Sequence, residues 1–185
     1  MAWIKVIDEK DATGKLKEVY EKIGGERGKI ANIYKINSLN PQSMEDHLNF
    51  YMNLVYGHLD LTREQRELIA VTVSVTNGCQ YCINHHAEAL NAYWKNREKL
   101  NKFIDNFNFV ELPEKDRTMI EYAIKLTKAP KSISDKDIEK LQEQNFSDAD
   151  ILNINLVTAY FNFVNRVALG LGVEFSSDEI TGYKY

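Results

Sequence analysis

Residues 61–78 read LTREQRELIAVTVSVTNG, and two incompatible structures compete for them. Val71-Thr72-Val73-Ser74-Val75-Thr76 alternates with period two and is β-branched, the pattern of a half-buried strand. A strand leading into a C-x-x-C and then a helix is one known layout for a redox pair. Against it, Thr62 followed three residues later by Gln65 is a capping box, and Asn77-Gly78 is a stop signal. The roughly fifteen residues between them suit a helix better than a strand. No other part of the chain offers partner strands, and a lone strand leaves its backbone groups unpaired. The segment therefore reads as a helix, apolar on nearly every face, which belongs at the centre of a bundle.

Most of the remaining sequence has helical period, interrupted by only three prolines, Pro41, Pro113 and Pro130. The spacing predicts helices over Asp11 to Gly24, closed by Gly24-Gly25, and over a short stretch around Ile30 to Asn37. A third, capped by Asn40 with Pro41 at its first position, runs to about Gly57. After the central helix come Tyr81 to Trp94, with Cys82, His86, Ala89 and Tyr93 on one face, and Lys95 to Phe107. Glu114 to Lys128, Ser134 to Gln144, and a long last helix from Asp148 to Leu171 behind Ser147 complete the set. Ser176 onward reads as a polar tail or docking arm. The expectation is an all-α protein, one helical domain over 1–185 with its core motif at 62–94.

With 44% hydrophobic and 27% charged residues, the composition is that of a soluble globular protein. The net charge of −4 comes from interspersed acids and bases, so no basic arm or stripe marks a nucleic-acid partner. No run of eighteen apolar residues occurs and the N-terminus has no apolar signal core, so neither membrane spanning nor secretion is expected. A cytoplasmic location is the resulting default. Two cysteines cannot form a disulfide framework, and inside a cell a solitary C-x-x-C points to redox chemistry or a metal.

Both cysteines stand in Asn77 to His86, NGCQYCINHH. If Asn77-Gly78 ends one helix, Cys79 falls at the N-cap of the next. Backbone N–H groups and the positive end of the helix dipole there favour a thiolate. Cys82 is three residues on, so the two sulfurs can meet on one face and a disulfide can form with little backbone movement. His86 is four residues beyond Cys82 and His85 three, so either imidazole can lie over the Cys82 sulfur and take its proton at neutral pH. Glu67, followed by LIAVTVSV, is a carboxylate entering a buried helix. Packed antiparallel to the cysteine helix, it could face the first turns there and complete a proton relay.

The pattern Glu67, eleven residues, Cys79-x-x-Cys82, three residues, His86 resembles the core of the AhpD-like alkylhydroperoxidases within the carboxymuconolactone decarboxylase superfamily. The resemblance extends through Ile7-Asp8, Ala12-Thr13-Gly14, Val19-Tyr20 and Asn32-x-Tyr34 to Phe161-Asn162, Asn165-Arg166 and Gly170-Leu171-Gly172. These flanking residues look like the peroxidase-related branch. It implies an all-α AhpD-like bundle assembled as a homo-oligomer, trimers or hexamers being usual, that needs no haem, flavin or metal cofactor. By similarity, Cys82 attacks a hydroperoxide substrate and passes through a sulfenic acid, Cys79 resolves it, and Glu67 with His86 deprotonates Cys82 through a water-assisted relay. An external dithiol or protein reductant then restores the pair. The best-known members carry histidine just before the second cysteine, where this chain has Tyr81, a residue that would border the site.

Other readings compete. Two thiolates with His85 or His86 nearly make a zinc site, but a structural zinc wants a fourth ligand and no second cysteine pair exists. A redox sensor without turnover would use the same pair. A lactone decarboxylase-type lyase on the same fold is a further alternative, although decarboxylases of that superfamily generally lack the cysteine pair. At single residues, His47 reads as a surface histidine, His58 as a helix-end histidine, and His85 as pointing to solvent. Glu67, after Arg63, Glu64 and Arg66, could equally be an exposed acid in a charged first turn. Asn165, polar amid apolar neighbours, reads as a helix–helix hydrogen-bonding residue.

Overall fold

The computed structural model of the protein describes residues 2–175 and Glu179. Among them the regular structure is helical, with no strand. The α-helices are α1 (Gly14–Arg27), α2 (Asn32–Lys35), α3 (Pro41–Tyr51), α4 (Arg63–Asn77), α5 (Gln80–Trp94), α6 (Arg97–Asp105), α7 (Glu114–Lys128), α8 (Asp135–Glu143) and α9 (Asp148–Leu171). No helix of the described residues is long and apolar enough to cross a membrane.

The contested segment is α4. The Thr62 hydroxyl accepts from the Gln65 N–H at 3.1 Å, and the Gln65 side chain accepts from the Thr62 N–H at 3.0 Å, so the capping box is complete. At the other end Gly78 takes left-handed backbone (φ 67°, ψ 27°) and returns its N–H to the carbonyls of Ser74 and Val75. Every residue from Arg66 to Ser74 is buried, and the helix packs against α5, α7 and α9. That surround explains why β-branched residues end in a helix. Their propensity penalty is a few tenths of a kcal/mol each. Burying a valine is worth about 1.5–3 kcal/mol, and Val71 and Val73 are fully buried. Arg66 fastens the preceding loop to this helix, its guanidinium donating to the carbonyls of Val55, Gly57 and Leu61.

Several boundaries differ from the sequence expectation. Gly24-Gly25 does not stop α1, because the left-handed stop is taken by Gly28 (φ 77°), whose N–H bonds the Gly24 carbonyl. The helix opened by Asn40 stays α-helical only to Tyr51. Met52–Tyr56 then forms a π turn that ends at Gly57. The helix expected from Lys95 starts at Arg97, behind an Asn96 cap, since Lys95 itself is left-handed (φ 49°). The last helix matches its expectation, with a full Ser147–Asp150 capping box and Gly172 at its end. Apart from Glu179, the expected tail from Ser176 lies outside the described residues.

Candidate active site

The α4–α5 turn places the thiols. Gly78 reverses the chain, the Cys79 N–H bonds the Ser74 carbonyl at 2.9 Å, and Cys79 becomes the N-cap of α5, its carbonyl accepting from Ile83. Cys82 stands one turn in, and the two sulfurs, both free thiols and both buried, are 2.7 Å apart. The contact favours ionisation of Cys79 over that of Cys82. The Cys82 thiol and its backbone N–H stabilise a negative Cys79 sulfur and lower the Cys79 pKa against the opposing effect of burial. Donation to Cys79, reinforced by burial, pushes Cys82 up, while Asn165 pulls the other way. Asn165 is fully buried on α9 and also bonds Ser74 and Asn77 of α4, the helix–helix role its sequence setting indicates.

Glu67 is fully buried, not an exposed acid of a charged turn. Its Oε2 lies 2.7 Å from His86 Nδ1, and its Oε1 accepts from Arg63 Nε at 2.9 Å. Burial alone would raise the Glu67 pKa, but His86 and Arg63 outweigh it and hold the carboxyl below its usual range. An ionised carboxylate only accepts, so the His86 proton facing it sits on Nδ1. Nε2 is left to exchange a proton elsewhere. The side chain of Phe161 meets the His86 ring edge-on at 4.5 Å between centroids. Arg63 in turn lies 3.8 Å over the ring of Tyr56 from the π turn.

Cys82, Tyr81, His85 and His86 share a narrow cavity of about 70 Å3 whose other walls come from α1, α2, α3 and α9; Cys79 does not border it. The sequence expectation is corrected in three places. His85 is largely buried at 15% side-chain exposure, packed on the Tyr81 ring (4.7 Å), with its Nε2 3.8 Å from Glu179; burial, with His86, Lys29 and Arg27 nearby, depresses its pKa to about 3. His47 is not a surface histidine: α9 covers it, its Nε2 is 2.8 Å from the Tyr160 hydroxyl, and it lines the cavity. Tyr93, expected on the Cys82 face, is half exposed, because that face turns outward beyond Ala89. Tyr81 does border the site. Its hydroxyl donates to Glu179 Oε1 (2.8 Å) and accepts from the Ile33 N–H (3.1 Å), which fixes the residue between the cysteines. Among the described residues no three His, Cys, Asp or Glu side chains converge as candidate metal ligands.

A family model described as the carboxymuconolactone decarboxylase family matches residues 41–106, from the start of α3 to the end of α6. A solved peroxidase-related protein from Silicibacter sp. TM1040 superposes with a TM-score of 0.86 at 27% identity, over 97% of this chain and 94% of the other. These matches give the chain an AhpD-like helical fold with a core similar to the carboxymuconolactone decarboxylase family. An AhpD-core, peroxidase-related protein from Ralstonia eutropha JMP134 shares the fold equally well (TM-score 0.86, 24% identity, 97% and 94% covered). The debrominase Bmp8, solved as its C82A variant with 2,3,4-tribromopyrrole, shares the fold less closely (TM-score 0.76, 19% identity, 96% and 97% covered). No curated protein matches the chain significantly by sequence.

In this site the spacing-based candidates separate into two contacts, Cys79 with Cys82 and Glu67 with His86, joined by the cavity that Cys82 and His86 both line. Sequence reading missed Arg63, although its place four residues before Glu67 is a one-face spacing on a helix. It also missed Arg27, Tyr34 and Tyr160, which carry no local signal. Their helices bring them to the cavity only on packing.

Proposed function

We propose that the protein is a thiol-dependent peroxidase that reduces organic hydroperoxides through Cys79 and Cys82. The observation that carries this reading is the contact between two free thiols of which one, Cys82, borders a cavity. His86 Nε2 takes the Cys82 proton, directly or through a water, and leaves a Cys82 thiolate at the cavity. That sulfur attacks the peroxide, the O–O bond breaks, and the alkoxide takes the same proton back from His86 Nε2, leaving an alcohol and a Cys82 sulfenic acid. The Cys79 sulfur then displaces the hydroxyl, the S–O bond breaks, and water leaves with the Cys79 proton as the disulfide forms. An external dithiol supplies the two electrons and two protons that reopen it. Glu67 fixes the His86 tautomer, and Arg63 helps to keep Glu67 ionised.

The peroxidase-related neighbours favour this reading over a lyase. Assembly as a homo-oligomer accords with Phe50 and Phe163, large apolar side chains half exposed on α3 and α9. The test is Cys82→Ser. It should abolish dithiol-dependent consumption of tert-butyl hydroperoxide while circular dichroism stays that of the wild type. Full activity in that variant would exclude Cys82 as the attacking thiol.

A further inference from the structure

The peroxidase chemistry uses the α5 side of the cavity. The sides contributed by α1, α3 and α9 have no part in it, yet they are chemically specific. Arg27, at the end of α1, is buried, and its guanidinium lies over the rings of Tyr51 (5.2 Å) and Tyr56 (4.7 Å). Burial opposes its charge, but the neighbouring tyrosines outweigh it and Arg27 stays cationic. His47 is 6% exposed, and its pKa is pushed down to about 4 by burial, so at neutral pH the imidazole carries a single ring proton.

The position of that proton follows from its neighbours. Among the described residues the Tyr160 hydroxyl has one hydrogen-bond partner, His47 Nε2 at 2.8 Å. A buried phenol hydroxyl uses its proton where an acceptor is present, so it donates to Nε2. The ring proton is therefore on Nδ1, which is buried and meets no acceptor among the described residues. Folded interiors rarely leave a buried donor unsatisfied, and such groups call for a specific explanation. Here the donor belongs to a residue that lines the same small cavity as a buried guanidinium and the Cys82 sulfur. A cation and a fixed N–H donor together recognise an anion with in-plane acceptors.

We propose that Arg27 and His47 form an anion subsite of this cavity, and that the substrate is a compact organic hydroperoxide bearing a carboxylate. Arg27 and the His47 Nδ1–H receive the carboxylate while the peroxide end meets Cys82. The proposal rests on the peroxidase reading for its substrate, and on the cavity alone for its anion. Tyr160 acts as a positioning residue, through the tautomer it imposes on His47.

Two measurements separate the two claims. The first compares turnover of tert-butyl hydroperoxide with that of its carboxylated analogue, 3-hydroperoxy-3-methylbutanoate. The wild type should favour the carboxylated substrate by about tenfold or more in kcat/KM, and Arg27→Met should bring the ratio to within about twofold of one. Arg27→Lys should keep part of the preference, which covers the case in which Arg27→Met does not fold. His47→Phe should lower the ratio, and His47→Asn, whose amide N–H stands near the place of Nδ1–H, should restore part of it. Equal turnover of both substrates by the wild type, or a preference that survives Arg27→Met, would overturn the subsite.

The second measures equilibrium binding of 3,3-dimethylbutanoate and of the matching alcohol to Cys82→Ser by calorimetry. The carboxylate should bind about tenfold more tightly or better. Equal binding, or none, would overturn the subsite even if peroxides are consumed. Tight carboxylate binding with no turnover of either peroxide by the wild type would instead sink the peroxidase reading and leave the subsite standing.

Discussion

Replacing Glu67 by glutamine tests the interior of the site most severely, because it exchanges one heavy atom at nearly constant volume. Glu67 is fully buried, and its two oxygens serve different donors, His86 Nδ1 at 2.7 Å and Arg63 Nε at 2.9 Å. A glutamine offers one oxygen, so its NH2 must face a second donor, either Arg63 or the His86 N–H. Removing one partner of a buried ion pair costs about 3–5 kcal/mol. Arg63 keeps 16% side-chain exposure and the Tyr56 ring beneath it, so part of its charge remains solvated and the expected loss is roughly 2–3 kcal/mol. For a chain of this length each kcal/mol moves Tm by about 2–4 °C, so the melting temperature at pH 7 should fall by roughly 4–12 °C.

The acid limb should change as well. The folded-state pKa of Glu67 is depressed below the ordinary 4.5, so its stabilising contribution is present above that value and is lost as pH falls through the folded pKa. Glu67→Gln should therefore flatten the stability profile below about pH 4.5. Calorimetric melts of both proteins from pH 3 to 8 give both quantities. A Tm within about 1 °C of the wild type, with an unchanged acid limb, would refute the buried Glu67–His86–Arg63 arrangement.

His47 gives a prediction of the same kind at milder pH. Its folded pKa of about 4 lies below the ordinary 6.5, so the unfolded chain takes up a proton first and stability falls as pH drops from 6.5 to 4. The full effect is about 3 kcal/mol. His47→Phe should reduce the slope of stability against pH in that window without removing it, since His85, depressed to about 3, contributes there too. An unchanged slope would place His47 in contact with water. Asn165→Ala should cost about 1–3 kcal/mol, because Asn77 and Ser74 lose a buried partner. It should also slow alkylation of Cys82 at a given pH, since the Asn165 contact is one that lowers the Cys82 pKa. Alkylation as fast as in the wild type would show that Asn165 has no bearing on the thiol.

The fold was legible where local chemistry and global packing agree. Thr62, Gln65 and Gly78 mark both ends of α4 whatever surrounds it, and they decide the segment for a helix against the strand pattern of its valines. The turn residue Gly78 likewise set Cys79 at a helix start, and the three- and four-residue spacings set Cys82 and His86 on one face. Contacts made across the bundle were not legible. His47 looks like one polar residue on an amphipathic helix, and its burial depends on Tyr160, 113 positions away. The extension of α1 past Gly24-Gly25 depended on which nearby glycine took the left-handed conformation, and that fell to Gly28. Glu179 reaches Tyr81 and Asn32 from a segment whose sequence shows only polarity.

The most direct measurement is a single turnover without reductant. Fully reduced protein is mixed with one equivalent of tert-butyl hydroperoxide, and the alcohol formed and the intact mass are followed together. A Cys82-first mechanism with Cys79 resolving requires one alcohol per chain and loss of the mass of two hydrogens. The new disulfide should map to Cys79–Cys82. Cys79→Ser should instead stop at a sulfenic acid that dimedone traps on Cys82. Alcohol formed without a disulfide, or a sulfenic acid trapped on Cys79 in the Cys82→Ser protein at the wild-type rate, would contradict it.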